Sequence, residues 1–219
     1  MKLNLLSLAP DSFILGHTNL LGQFYPKKIL DLPCIKKINK PLKENVLEKA
    51  NNLWGLEIHL TSKCQLNCSH CSYEQRNKDC AELNPKTLEQ ILETANKSAI
   101  GSIIFSGGGD PLSWSLGNFE QVFKKNANYS QAIATNGLGL TRALNRELLN
   151  RLDIVQINVN GYDKNSYSAT TGKDQFDKFI QNLEWLFKNR DKNITQITGK
   201  VVINNSNYKQ VKEYLKFCH

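Results

Sequence analysis

The chain has 219 residues, enough for one large domain or a domain with an appendage. Hydrophobic residues make up 40% and charged residues 22%, ordinary proportions for a soluble globular protein. No apolar run approaches the length of a membrane span, so no membrane partner is expected, and the net charge of +8 comes from lysines spread along the chain, which reads as a solvated surface rather than a nucleic-acid site.

The opening Met1-Lys-Leu-Asn-Leu-Leu-Ser-Leu-Ala-Pro10 looks like the front of a signal peptide. Its apolar core is short and interrupted, and no small-residue cleavage site follows, so it reads as a strand. Phe13-Ile-Leu-Gly16 and Leu20-Leu-Gly-Gln-Phe-Tyr25 read as short strands around turns. Pro41 opens a helix with Leu42, Val46, Leu47 and Ala50 on one face. Residues 1–53 are taken as an N-terminal extension, and 54–219 as the core domain.

From residue 54 strands and helices alternate. The first strand covers about 55–61 and runs into Cys64-Gln-Leu-Asn-Cys68-Ser-His-Cys71. A helix starts after Asn84, a good N-cap, with Pro85 at its first position and Leu88, Ile91, Leu92 and Ala95 as its apolar stripe. The second strand, 102–106, ends in Gly107-Gly-Gly-Asp-Pro111, and 114–125 looks weakly helical. The third strand, 131–135, ends in Asn136-Gly137, and a helix capped by Thr141 carries Leu144, Leu148 and Leu149. The fourth strand, 154–160, ends at Gly161, and Asp174 caps a helix with Phe176, Phe179, Ile180, Leu183 and Leu186 at helical spacing. A fifth strand, 197–203, precedes a last helix at 207–217 with Tyr208, Val211, Tyr214 and Leu215 inward.

Five strand–helix units imply parallel strands with right-handed crossovers, in a barrel or a doubly wound sheet. In both folds ligands gather at the carboxyl ends of the strands. The unusual residues all fall on that rim: the cysteine loop, the glycine turn, Asn136-Gly137 and Asn158-Val-Asn-Gly161. An open edge at the fifth strand needs covering.

Six cysteines, three of them clustered, form a metal pattern and place the chain in a reducing, cytoplasmic compartment. Three thiolates spaced C-x3-C-x2-C are one short of a closed tetrahedral zinc site, for which Cys80 is a fourth candidate. An iron–sulfur cluster with three cysteines and one open iron fits the count directly. Three glycines at a strand end let backbone approach a ligand closely, and Asp110 beside them suits an ammonium or amino-acid headgroup. His59 reads as a strand-face residue, Cys34 and Cys218 as unpaired packing or surface residues, and Arg76 as a solvated loop residue. Trp54, Trp114 and Trp185 read as core or rim aromatics.

The cysteine loop and the glycine turn together resemble the radical S-adenosylmethionine superfamily, in particular its peptide-modifying, anaerobic sulfatase-maturase-like members. Cys64, Cys68 and Cys71 match the superfamily's C-x3-C-x2-C after the first strand, and Gly108-Gly109-Asp110 stands where relatives carry Gly-Gly-Glu. Thr135-Asn-Gly137, Asn158-Val-Asn-Gly161 and Tyr167-Ser-Ala-Thr-Thr-Gly172 extend the likeness over about 54–217. The resemblance implies a partial (β/α)6 TIM-type barrel. It implies a [4Fe–4S] cluster on the three cysteines, with S-adenosyl-L-methionine on the open iron. One electron, from a donor such as flavodoxin or ferredoxin, then cleaves that cofactor to a 5′-deoxyadenosyl radical, which takes a hydrogen from a peptide or small-molecule substrate. By position, Gly108, Gly109 and Asp110 would contact the methionine amino group, Asn136 would lie in the cofactor site, Asn158 would face the carboxylate or ribose, and His70 would lie near the adenine.

The superfamily core has six units and five are legible here, so the core is expected to be incomplete at its C-terminus. Two other readings stand beside the enzyme. One is a zinc- or cluster-binding module with a basic partner surface, and the other is a truncated, inactive relative.

Overall fold

A computed structural model describes residues 4–5, 55–73, 78–97 and 100–218. The expectations for 6–54, including the Pro41 helix, Cys34 and Trp54, and for Arg76 lie outside the described residues.

Five strands, β2 (Gly55–His59), β3 (Ser102–Ser106), β4 (Ser130–Thr135), β5 (Ile154–Asn158) and β6 (Gln196–Lys200), pair side by side in chain order and all in parallel. This is the sheet of a partial barrel, as the alternation of elements predicts. At the far edge β1 (Asn4–Leu5) joins β6 in parallel, with Asn4 opposite Thr198 and Leu5 opposite Gly199. The expected open edge is thus covered by backbone from the other end of the chain, and the sheet has a sixth strand that comes from the N-terminal segment.

Three strands stop earlier than expected, β2 at His59, β5 at Asn158 and β6 at Lys200. The helices are α1 (Pro85–Lys97), α2 (Phe119–Val122), α3 (Leu140–Ala143), α4 (Arg146–Leu149), α5 (Lys164–Thr171), α6 (Phe176–Asn189) and α7 (Val211–Cys218). The single helix expected after Thr141 is two short ones, because the Asn145 side chain accepts from Leu148 N and restarts the coil. Asp174 does not cap α6; Gln175 flanks it without a side-chain cap. Tyr208 and Leu215, expected inward, are exposed, whereas Tyr214 and Cys218 carry the buried side of α7. The weak pattern at 114–125 holds only one helical turn, α2.

Successive residues of a strand point to opposite faces. One set, Ile58, Ile103, Phe105, Ile133, Val155, Ile157 and Ile197, is buried against the helices. Leu88 and Leu92 of α1, and Phe179, Leu183 and Leu186 of α6, complete that core. Full burial of each such side chain contributes about 1.5–3 kcal/mol. The register lines up the other set, with His59 opposite Ser106, Gln156 opposite Thr198, and Asn158 opposite Lys200. This second face mixes those polar residues with Ile104, Ala132, Ala134 and Ile154; Ser102, Ser130 and Thr198 on it are buried, and Glu57, His59, Ser106, Gln156, Asn158 and Lys200 are half-buried or exposed.

Candidate functional site

The cysteine loop begins where β2 ends, and its backbone is joined to the glycine turn by two main-chain hydrogen bonds. Gly109 N donates to Thr61 O at 2.7 Å and Asp110 N to Lys63 O at 2.8 Å. The contact leaves no space for side chains. A Cβ on Gly109 would stand 2.0 Å from Lys63 O, and one on Gly108, whose φ is +58°, 2.8 Å from Thr61 O. The glycines at these positions therefore fuse the two loops before any ligand arrives.

Two more elements hold the loop. The segment before α1 folds back on it: Ser62 N donates to Ala81 O at 2.8 Å and Leu83 N to Leu60 O at 2.8 Å. Lys63 Nζ reaches Glu82 Oε2 at 2.6 Å, and Ser115 N donates to Glu82 Oε1 at 2.7 Å. Burial works to raise the Glu82 carboxyl, but the bonds from Lys63 and Ser115 outweigh it and hold the group below its ordinary value. On the other side the last carbonyls of α5, which no helical amide can satisfy, accept from the loop. Asn67 N donates to Thr171 O and Ser69 N to Thr170 O, both at 2.9 Å.

Cys64 and Cys68 are half-buried and pack on the core, whereas Cys71 is exposed; none of the described cysteines is in a disulfide. Among the described residues, no three His, Cys, Asp or Glu side chains are grouped to hold a metal ion. Cys80 is exposed and takes φ +48°, and it joins no such group. In a four-iron cluster each thiolate takes a different iron, so the donor set of three loop cysteines fits that group in number and chemistry.

Asp110 differs from its expected place. Its carboxylate is 4% exposed and is taken up by the protein. It accepts from Asn136 N at 2.7 Å, Thr135 Oγ1 at 2.8 Å and Leu112 N at 3.0 Å. Burial pushes its carboxyl above the ordinary range, and those three bonds oppose the shift. The side chain ties the glycine turn to the end of β4 and is not itself presented to a ligand.

Asn136, brought in by the same tie, is 5% exposed. Its Nδ2 donates to Gln65 Oε1 at 2.9 Å and toward Cys64 Sγ at 3.6 Å. An amide donor aimed at a ligating sulfur orients the ligand and tunes its electron density. Asn158 stands on the polar face in register with Lys200, away from the joint between the loops. His70 lies in the turn between Cys68 and Cys71, half-buried.

His59, weighed as a strand-face residue, sits on the polar face next to the glycine turn. Its ring lies against Gly107, where a Cβ would fall 1.8 Å from Nε2. Nε2 is 3.1 Å from Glu57 Oε1, which also accepts from Ser106 Oγ. Alternation along β2 places Glu57 and His59 on one face, a signal the sequence carries. The tie from Asp110 to Thr135 is not readable there, because the partners are 25 residues apart.

Comparison with known proteins agrees with this arrangement. The Radical SAM superfamily model matches residues 58–218. A probable GTP 3′,8-cyclase of Thermoplasma volcanium is 25% identical over 130 residues, 59% of this chain and 40% of that protein. One from Saccharolobus solfataricus is 23% identical over 164 residues, 75% of this chain and 52% of that protein. The chain thus spans about half the length of the curated relatives it matches. Among solved structures, native anSMEcpe with bound AdoMet and Cp18Cys peptide is similar with a TM-score of 0.57 at 22% identity, covering 74% of this chain and 46% of that one. Streptococcus suis SuiB bound to S-adenosylmethionine has a TM-score of 0.55 at 20% identity, covering 91% of this chain and 50% of that one.

Proposed function

The chain belongs to the radical SAM superfamily, and from that premise we propose that it cleaves S-adenosylmethionine reductively and so starts hydrogen abstraction from a substrate held on the polar face of the sheet. The observation that carries this reading is the fused pair of loops. Three cysteines of one loop and the half-buried main chain of Gly108 and Gly109 are fixed side by side at the carboxyl ends of parallel strands.

Cys64, Cys68 and Cys71 would hold a [4Fe–4S] cluster. When bound and reduced by a donor such as flavodoxin or ferredoxin, it supplies one electron that splits S-adenosylmethionine into methionine and a 5′-deoxyadenosyl radical. Backbone of Gly108 and Gly109 would meet the methionine amino group, with Asp110 acting behind them as a brace. Asn136 would orient Cys64, Asn158 would face the carboxylate or ribose, and His70 would border the adenine.

Glu57, His59, Ser106, Gln156 and Lys200 offer hydrogen-bonding groups to a polar substrate, and we propose a peptide side chain. The name of the curated relatives favours a second reading, a guanine nucleotide. A triphosphate calls for several convergent cations, and Lys200 is the cation that the register rows of this face supply among the described residues. No described helix is long and apolar enough to cross a membrane, and we place the protein in the cytoplasm on the strength of its thiols.

Anaerobic reconstitution tests the function. Bound iron and sulfide, visible absorbance that dithionite bleaches, and release of 5′-deoxyadenosine on adding S-adenosylmethionine are the expected results. Stoichiometric zinc without sulfide would favour the binding-module reading. A loaded chain that leaves S-adenosylmethionine intact after prolonged reduction would mark an inactive relative.

A further inference from the structure

α5 is the element that underpins the cysteine loop, and Tyr167 lies one turn before the carbonyls that grip it. The residue has no exposed surface. Its ring is clamped by Phe179, centroids 5.4 Å apart, and by Phe176 at 5.7 Å. Its backbone is pressed against Gly161, where a Cβ would strike Tyr167 N at 2.3 Å. Thr171 Oγ1 donates to its carbonyl at 2.7 Å. With ring and backbone both fixed, the hydroxyl has little freedom to seek another direction.

That hydroxyl is buried and has no hydrogen-bond partner among the described residues. A buried hydroxyl left unsatisfied is costly, and Phe would fill the same apolar clamp without that cost. The surroundings identify what is missing. Cys64 and Cys68 pack against the core of which Tyr167 is part, and the main chain on either side of Cys68 is bonded to the last carbonyls of α5, one turn on from Tyr167. Asp110 is saturated with other donors. The two thiols packed on this core are the acceptors that the loop brings to it.

We propose that the Tyr167 hydroxyl donates a hydrogen bond to a sulfur of the cluster held by Cys64, Cys68 and Cys71, and that this bond sets how readily the cluster accepts an electron. The inference rests on the cluster reading above. A donor to cluster sulfur stabilises the more negative, reduced state and so raises the reduction potential. Tyr167 is on this account a positioning and tuning residue, acting from the core side of the loop, with Asn136 acting from the side of the glycine turn.

The test is potentiometry on the anaerobically reconstituted full chain, wild type against Tyr167→Phe, following the reduced cluster by electron paramagnetic resonance. The variant's equilibrium constant for one-electron reduction is expected to fall about tenfold, equal to a shift of about 59 mV to more negative potential. The metal-free variant should melt at the same temperature as the wild type or higher, since it loses an unsatisfied group. An exchangeable proton coupled to the reduced cluster should be present in the wild type and absent in the variant. Equal potentials in two fully loaded proteins would overturn the proposal, as would a lowered melting temperature of the metal-free variant, which marks a structural role. A wild type that takes up no iron and sulfide would remove the cluster reading itself, an outcome distinct from a loaded pair with equal potentials.

Discussion

The two faces of the sheet are made by the same strands and differ in almost every other respect. Under the helices, Ile103, Phe105, Ile133, Val155 and Ile157 are sealed, and the carboxylate that reaches that side, Asp110, has every neighbour committed to it. On the opposite face Glu57, His59, Ser106 and Asn158 keep contact with solvent, and the carboxylate there, Glu57, is nearly half exposed at 48%. One acid holds the architecture together, and the other is available to a ligand. Chemical type alone does not distinguish them; parity along the strand and the loop each belongs to do.

The largest effect that should sharpen this contrast is Asp110→Ala. It would strand Asn136 N, Thr135 Oγ1 and Leu112 N as buried donors, each costing about 1–3 kcal/mol. A loss of roughly 3 kcal/mol or more in denaturant unfolding is expected, with the cluster loop detached from β4. A loss under about 1 kcal/mol would show that the brace is not structural.

An intermediate effect comes from the Glu82 clamp. Its carboxyl is held below its ordinary value in the fold, so its contribution is present above that value and is lost as pH falls toward the folded one. Glu82→Gln should therefore cost about 1 kcal/mol near neutrality, the scale of one net hydrogen bond, and the gap to wild type should close on acidification. A gap that is constant through the carboxylate range would assign the loss to packing. The smallest effect belongs to the open face. His59→Ala should change the stability of the metal-free chain by no more than about 0.5 kcal/mol, while weakening turnover of any substrate bound there. Large destabilisation would place His59 with the core instead.

Much of this arrangement is readable in the chain. The five strand–helix units, the C-x3-C-x2-C loop and the glycine turn are local patterns, and their common rim follows from parallel topology. Strand ends and helix breaks were less legible. Asn145 restarts a helix that the apolar spacing of Leu144, Leu148 and Leu149 would continue, since a cap acts over three residues while the stripe averages over many. Asp110 is legible as part of the glycine turn, but the direction of its side chain depends on Thr135, a non-local partner that no local pattern indicates. Tyr167 was legible only as part of a family stretch; its importance depends on burial, which no single residue announces.

The joint between the cysteine loop and the glycine turn is written in amides and carbonyls, Gly109 to Thr61 and Asp110 to Lys63. Such bonds are indifferent to the side chains that flank them, provided the glycines stay small. The spacing of the two loops is therefore set by main-chain atoms that no substitution removes, while the side chains of Ser62 and Lys63 face another way, to Asp79 and Glu82. Intolerance to any side chain at the glycines within the joint follows from the same two hydrogen bonds.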